Sequence, residues 1–206
     1  NLGGAVGSIN LEPESSMNYE LATQYSGKWL SGNFAFFRRV GQNLIDWIRL
    51  NGSDVTEAAN ITTVYVNGVE LDATVKLDNS IFDRLRLNYT YLNADTNSTN
   101  FESNYVLDFL EHKFSVSLDQ RISKTITVHW RATYQDRLGG YFSVVENKEV
   151  DFEPFTLLDA RISHQGAFFN VFLEVSNLLN EVYADIGNVP QPGRWIRMGV
   201  RFNLDL

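Results

Sequence analysis

The stretch Arg194-Trp195-Ile196-Arg197-Met198-Gly199-Val200-Arg201-Phe202-Asn203-Leu204-Asp205-Leu206 decides the fold. Ile196, Met198, Val200, Phe202, Leu204 and Leu206 are apolar, and Arg197, Gly199, Arg201, Asn203 and Asp205 stand between them. Successive side chains of a strand point to opposite faces, so strict alternation predicts a strand with one apolar and one wet face. A strand that crosses a bilayer needs roughly 9–11 residues, and this one is long enough. A one-sided soluble sheet would alternate in the same way, so the rest of the chain has to discriminate.

The pattern recurs eight times upstream. Strands are predicted at 18–25, 33–49, 61–77, 84–94, 105–121, 125–136, 155–164 and 167–177. The strand at 125–136 sets Ile126, Val128, Trp130, Ala132 and Tyr134 against Thr127, His129, Arg131, Thr133 and Gln135. In the strand at 61–77 the apolar phase flips at Asn67-Gly68, which reads as a β-bulge or a hairpin turn. The bulge is favoured, because a hairpin would leave two short strands among long neighbours. A second bulge is expected near Gly41. Residues 178–186 read as loop, with a short helical turn as the lesser alternative. No helical period recurs, so the chain reads as an all-β meander of about nine long strands, or ten if Ala5 to Leu11 forms one.

The connections alternate in length. Short ones fall near 27–32, 78–83, 122–125 and 165–166, and long ones near 1–16, 50–60, 95–104, 137–153 and 178–193. In an up-and-down meander alternate connections share an end, which gives the short-turn and long-loop ends of an outer-membrane barrel. Soluble strands average about five or six residues, and several here run past that. Aromatic residues at 13% suit interfacial girdles. An odd strand number hints at an incomplete barrel, since single-chain bacterial barrels have even numbers.

Composition excludes several functions. Hydrophobic residues make up 44%, yet no run approaches the ~18 apolar residues of a membrane helix. A net charge of −8 argues against a nucleic-acid partner. The absence of cysteine excludes disulfides and thiolate metal sites. His112, His129 and His164 lie on three separate strands, so no metal site is expected. Asp136, Asp159 and Asp185 form no paired-carboxylate spacing, no Ser-His-Asp order stands out, and no helix follows Gly139-Gly140 to cradle a phosphate. Neither an enzyme nor a cofactor is expected.

Several motifs carry a resemblance. Leu11-Glu12-Pro13-Glu14-Ser15 followed by Tyr19-Glu20-Leu21 resembles the "L-x-P-E-x-S…Y-E-x-G" stretch of TonB-dependent outer-membrane receptors, with Ala22 in place of the usual glycine. Phe37-Arg38-Arg39 with Leu44-Ile45-Asp46, and Asn60-Ile61 with Gly68-Val69-Glu70, are similar to that family's next two strands. Tyr89-Thr90-Tyr91-Leu92 and His112-Lys113 are similar to the two after those. Val175-Ser176-Asn177-Leu178-Leu179-Asn180 with Tyr183 resembles "V-x-N-L-F-N-x-x-Y", and Pro192-Gly193-Arg194 resembles the approach to the last strand. The family usually ends on an aromatic residue, where this chain has Leu206.

The resemblance implies an antiparallel transmembrane barrel of ~22 strands with a plugged lumen, of which residues 1–206 would be the C-terminal portion, without the plug domain or the segment that contacts TonB. It implies a bacterial outer-membrane location among lipid. It also implies import of a scarce small-molecule or metal-chelate ligand (siderophore, haem, cobalamin or glycan) with energy relayed by TonB. Trp47, Phe101, Tyr141, Phe142 and Tyr183 are the candidate ligand contacts, because aromatic side chains offer large contact area. The same residues would also suit a girdle at the lipid headgroups. Two other readings stand beside this one: a complete small passive barrel of porin or adhesin type, and a soluble all-β binding module. The free edge of the last strand separates the fragment from the small barrel, because pairing of 194–206 with 18–25 would close a barrel.

Overall fold

A computed structural model of the chain describes residues 5–50, 53, 55–77, 81–96, 101–103, 110–185, 187, 189 and 191–202. Its strands are β1 (Ala5–Val6), β2 (Ser15–Ser26), β3 (Leu30–Leu50), β4 (Thr56–Lys76), β5 (Phe82–Thr96), β6 (Phe101–Ser103), β7 (Leu110–Arg121), β8 (Ile126–Arg137), β9 (Gly140–Ser143), β10 (Lys148–Asp151), β11 (Phe155–Gln165), β12 (Phe169–Ser176) and β13 (Trp195–Phe202). Nine of them form an antiparallel meander in the order β13-β12-β11-β8-β7-β5-β4-β3-β2. These are the nine strands that alternation predicts. Among the described residues β13 pairs with β12 alone and β2 with β3 alone, so the sheet is open and the two edges do not close a small barrel. Asn203–Leu206, the end of the predicted last strand, lies outside the described residues, as does Asn97–Asn100 in the predicted loop.

Register assigns every side chain to a face. The pairs Glu174↔Arg197, Arg161↔Glu174, Arg161↔His129, Asp119↔His129 and Arg84↔Asp119 carry one wet face across six strands. The opposite face holds Leu21, Phe34, Phe36, Leu71, Phe114, Ile162, Leu173 and Met198, all exposed. Leu21 keeps 75% and Met198 74% of its surface uncovered. A contiguous apolar face running from one edge of the sheet to the other exceeds what a soluble monomer shows to water. Its solvent is lipid. Among the described residues no helix is long and apolar enough to cross a membrane.

The Asn67-Gly68 phase flip is neither a bulge nor a hairpin. Pairing keeps one register from Leu30↔Val75 through Phe37↔Gly68 to Arg49↔Thr56, skipping Asn43, and β4 to β5 keeps one register throughout. The strand does not slip; its surroundings change. Toward Lys76 the outward positions Val69, Leu71, Ala73 and Val75 meet lipid. Toward Thr56 the strand leaves the apolar band, and the apolar positions Val64 and Val66 face inward. Leu92 and Ala94 on β5, and Phe155 and Leu157 on β11, show the same inversion at the long-loop end. Val64 is fully buried there, packed with Ile48 and Ile61. The irregularity expected near Gly41 is a left-handed Asn43 at φ 54°, with Gln42↔Thr63 and Leu44↔Ile61 still in register.

Short additions flank the meander, one of them within the possible strand at Ala5 to Leu11. β3 and β4 are each 21 residues long and absorb most of the predicted loop at 50–60. β1 pairs with β4 in parallel and takes no place in the meander, and β6 pairs with the outer end of β3. The segment between β1 and β2 is clasped to β3 and β4. Asn60 Oδ1 accepts from Glu12 N at 2.8 Å, Asn60 Nδ2 donates to the Glu12 and Asn43 carbonyls, and Asn43 Nδ2 donates to Glu12 Oε2 at 2.9 Å. Ile45 N donates to Glu14 Oε1 at 2.6 Å.

Neighbouring residues on opposite faces test the assignment of faces. Ile162→Arg in the full-length protein should cost roughly 2–4 kcal/mol of folding into phosphatidylcholine vesicles, and Ser163→Arg under about 1 kcal/mol. Denaturant titration followed by tryptophan fluorescence reads both. Equal penalties would refute the assignment.

Candidate functional site: the loop cleft above the wet face

The wet face is laced by ions. Asp119 accepts from Arg86 Nη2 at 2.9 Å and pairs with His129 Nδ1 at 2.7 Å. Glu174 pairs with Arg161 at 3.5 Å and with Arg197. Arg161 also lies 4.0 Å from the centre of the Phe172 ring. Asn88 bonds Asp72, and Ser115 bonds Thr133 at 3.2 Å. These contacts join neighbouring strands and leave a hydrated wall with a polar recess of about 440 Å³ around Lys113, Arg131 and Asp159. Arg86 and Arg197 are thus paired on this face.

At the long-loop end two connections lean together. The β8–β11 connection, expected as a plain loop, folds into the β9–β10 hairpin, with Gly140↔Asp151 through Ser143↔Lys148 in register. Gly139 at its base has φ 93°, a conformation that side chains disfavour. Arg49 Nη2 at the end of β3 donates to Glu149 Oε1 on β10 at 2.8 Å. Four strand spacings separate β3 from β8, roughly 19 Å along the sheet, so the hairpin reaches over the wet face to the far side.

The β12–β13 connection is held by Asn177, only 4% exposed and in the left-handed region at φ 50°. Its backbone N–H donates to Asp159 Oδ1 at 2.9 Å. Its Oδ1 accepts from Glu181 N, and its Nδ2 donates to the Glu181 and Pro192 carbonyls. Asn180 Oδ1 accepts from Arg194 N, and Arg194 Nε donates to the Leu178 carbonyl, both at 2.9 Å. This knot replaces the helical turn weighed for 178–186. Asparagine suits both roles, because it tolerates left-handed backbone and carries donor and acceptor on one short stem.

Between hairpin and knot lies a cleft of about 470 Å³, lined by Tyr141, Val145, Asp151, Phe155, Tyr183 and Val189 among others. Tyr183 packs on Phe155 with ring centres 4.3 Å apart, and Tyr141 on Phe152 at 5.2 Å. Arg137 stands over Phe152 and pairs with Asp185 at 3.1 Å. Burial, followed by the charges of Asp185 and Asp159, raises the Tyr183 phenol above its usual range, so it stays a hydrogen-bond donor at neutral pH. The charged lining residues, Asp151, Glu153 and Glu181, are all acidic.

The structure therefore brings Tyr141 and Tyr183 to one cavity. Trp47 stands on β3 beside buried Asp46, on the opposite rim, and does not line the cleft. Phe101 and Phe142 lie on β6 and β9, and their side chains fall outside the described residues. Sequence reasoning missed Phe155 and Phe152. The available signal was Phe-Glu-Pro-Phe at 152–155, which puts an aromatic ring on a wet-face position. Among the described residues no group of histidines and carboxylates is placed to hold a metal.

Residues 1–178 match the family model described as TonB dependent receptor-like, beta-barrel. The iron-regulated outer membrane virulence protein of Vibrio cholerae is 23% identical over 97% of this chain and 33% of its own length. The chain thus spans about a third of the length of the curated relatives it matches. Among solved structures it resembles the FrpB iron transporter from Neisseria meningitidis, with TM-score 0.70 and 18% identity over 96% of this chain and 32% of that one. The copper transporter OprC gives TM-score 0.75 and 16% identity over 94% and 32%. The siderophore receptor PirA from Acinetobacter baumannii gives 0.68 and 15% over 93% and 32%.

Asn177→Ala should loosen the knot, because buried donors and acceptors left unmatched cost about 1–3 kcal/mol. Limited proteolysis of the folded full-length protein should then cut within 178–194 roughly tenfold faster. An unchanged rate would show that other contacts hold the loop.

Proposed function

This chain belongs to the TonB-dependent receptor β-barrel family and to the bacterial outer membrane, and on that premise we propose that it is the C-terminal wall of an active transporter's barrel. The whole protein binds a scarce metal chelate, of the siderophore class foremost, and imports it with energy relayed by TonB. The plug domain and the TonB-contacting segment belong to the remaining two thirds of the receptor. The observation that carries this reading is the family match over residues 1–178. The relatives named for iron, copper and siderophores support the ligand class.

Each residue group has a part in that work. The wall supplies a hydrated face whose side chains hold one another, so it stays rigid while the ligand passes. The cleft captures the ligand at the outer end. Tyr141 and Tyr183 provide ring faces and phenol donors, and Trp47, Phe101 and Phe142 are the remaining candidate contacts. Asp151, Glu153 and Glu181 repel an anionic chelate, so the ligand is neutral or positively charged. The family is one of transporters, and catalysis has no part in this reading.

Two measurements test it. Uptake of a labelled ferric chelate by cells carrying the full-length protein should vanish when TonB is deleted; uptake that persists would indicate a passive barrel. Tyr141→Ala and Tyr183→Ala should each weaken binding of a neutral or cationic ferric hydroxamate to the purified receptor about tenfold, the scale of a buried aromatic contact. Tighter binding of an anionic tris-catecholate than of the hydroxamate would refute the charge assignment.

A further inference from the structure

We propose that the lipid-facing wall carries a seat for the phosphate of a membrane lipid headgroup, built on Arg38 between Tyr19 and Tyr65. Arg38 shares the parity of Phe34 and Phe36 on β3, so it points out of the barrel rather than into the lumen. It is exposed. Tyr19 on β2 is its direct cross-strand partner, and its guanidinium stands 5.1 Å from the centre of the Tyr65 ring on β4. A full positive charge on this side of the sheet faces lipid, where an unmatched ion is costly.

The level of Arg38 identifies what matches it. The rung Phe36–Val69–Tyr91 is apolar or aromatic on the outward side of β3, β4 and β5, and His112 continues it on β7. The next rung toward the long loops is Arg38–Asn67–Asn93, polar on each of its strands. Tyr89, whose hydroxyl bonds His112 Nδ1 at 2.9 Å, and Tyr91, stacked on His112 at 4.9 Å, mark the same border with the aromatic girdle of membrane barrels. Arg38 thus sits where headgroups lie.

The surrounding charges leave the position to an anion from outside the chain. Among the described residues Arg38 makes no ion pair. The nearest outward carboxylate on a packed strand is Asp95, one rung higher on β5 opposite Tyr65. It is two strand spacings from β3, roughly 10 Å. Asp136 and His112 lie farther along the sheet. A guanidinium offers a fork of N–H donors that fits two phosphate oxygens, and the Tyr19 hydroxyl lies on the same face. Exposed Phe36, one rung below on the band side, suits acyl chains, so the phosphate is a lipid's rather than a soluble ion.

The test uses the full-length protein in phosphatidylcholine vesicles with and without a minor fraction of phosphatidic acid, with lipid retained on the protein read by native mass spectrometry. Wild type should retain phosphatidic acid over phosphatidylcholine, and Arg38→Gln should lose roughly fivefold of that preference, what one cation contributes near an anionic surface. Arg38→Lys, which keeps the charge, should keep part of it. Heat-modifiable gel migration confirms that each variant is folded, and Tyr65→Ala tests the seat if Arg38→Gln is not. An unchanged preference in the folded Arg38→Gln protein overturns the proposal. So does displacement of the lipid by inorganic phosphate, which would make the position a site for a soluble anion.

Discussion

Lipid offers no partner to a backbone N–H or carbonyl, so a strand in the bilayer must find all its hydrogen bonds in its neighbours. That requirement sets the architecture. It makes the strands long and their pairing continuous, as in β3 and β4, which stay in register from Leu30↔Val75 to Arg49↔Thr56. It also makes the open edges at β2 and β13 significant, because the backbone there still needs a partner. The chain matches about a third of its relatives' length, so the partner strands belong to the rest of such a barrel.

Once the backbone is satisfied, the side chains follow the solvent on each side. Within the band, apolar residues point out and ions point in, reversing the soluble order. Above it, Val64, Val66, Leu92, Phe155 and Leu157 turn the apolar side inward, and a small conventional core appears around Ile61 and Val64. One continuous strand therefore obeys two opposite rules. The cleft beneath the loops belongs to the upper regime, which is why phenylalanine and tyrosine line it while the wall below is charged.

The nine strands were legible because period-2 alternation survives any tertiary context that keeps one face in lipid. Asn67-Gly68 was misread for an instructive reason. In sequence a change of phase looks like a change of backbone, whereas here the backbone keeps its register and the medium changes. β6 and the β9–β10 hairpin were not legible, because strands of three or four residues leave no periodic trace. Nor could spacing reveal that Tyr141 and Tyr183 share a cavity, since two separate loops bring them together. The family motifs prove to be joints of the fold. Leu11-Glu12-Pro13-Glu14 meets Asn60, and Asn177-Leu178-Leu179-Asn180 meets Pro192-Gly193-Arg194. They identified the wall and said little of the ligand.

Two cross-strand pairs on the wet face have a further meaning. Gly68 lies under the ring of Phe37, and Gly199 under the ring of Phe172; a Cβ on either glycine would intrude on the ring. The wet face is the concave side of the arc, the side over which Arg49 and Glu149 meet. A bent plate is compressed on its inner surface, and removing one side chain beneath another is how such a plate curves without buckling. Each glycine and its ring therefore form one packing unit. A side chain at either glycine would require its ring to swing away first.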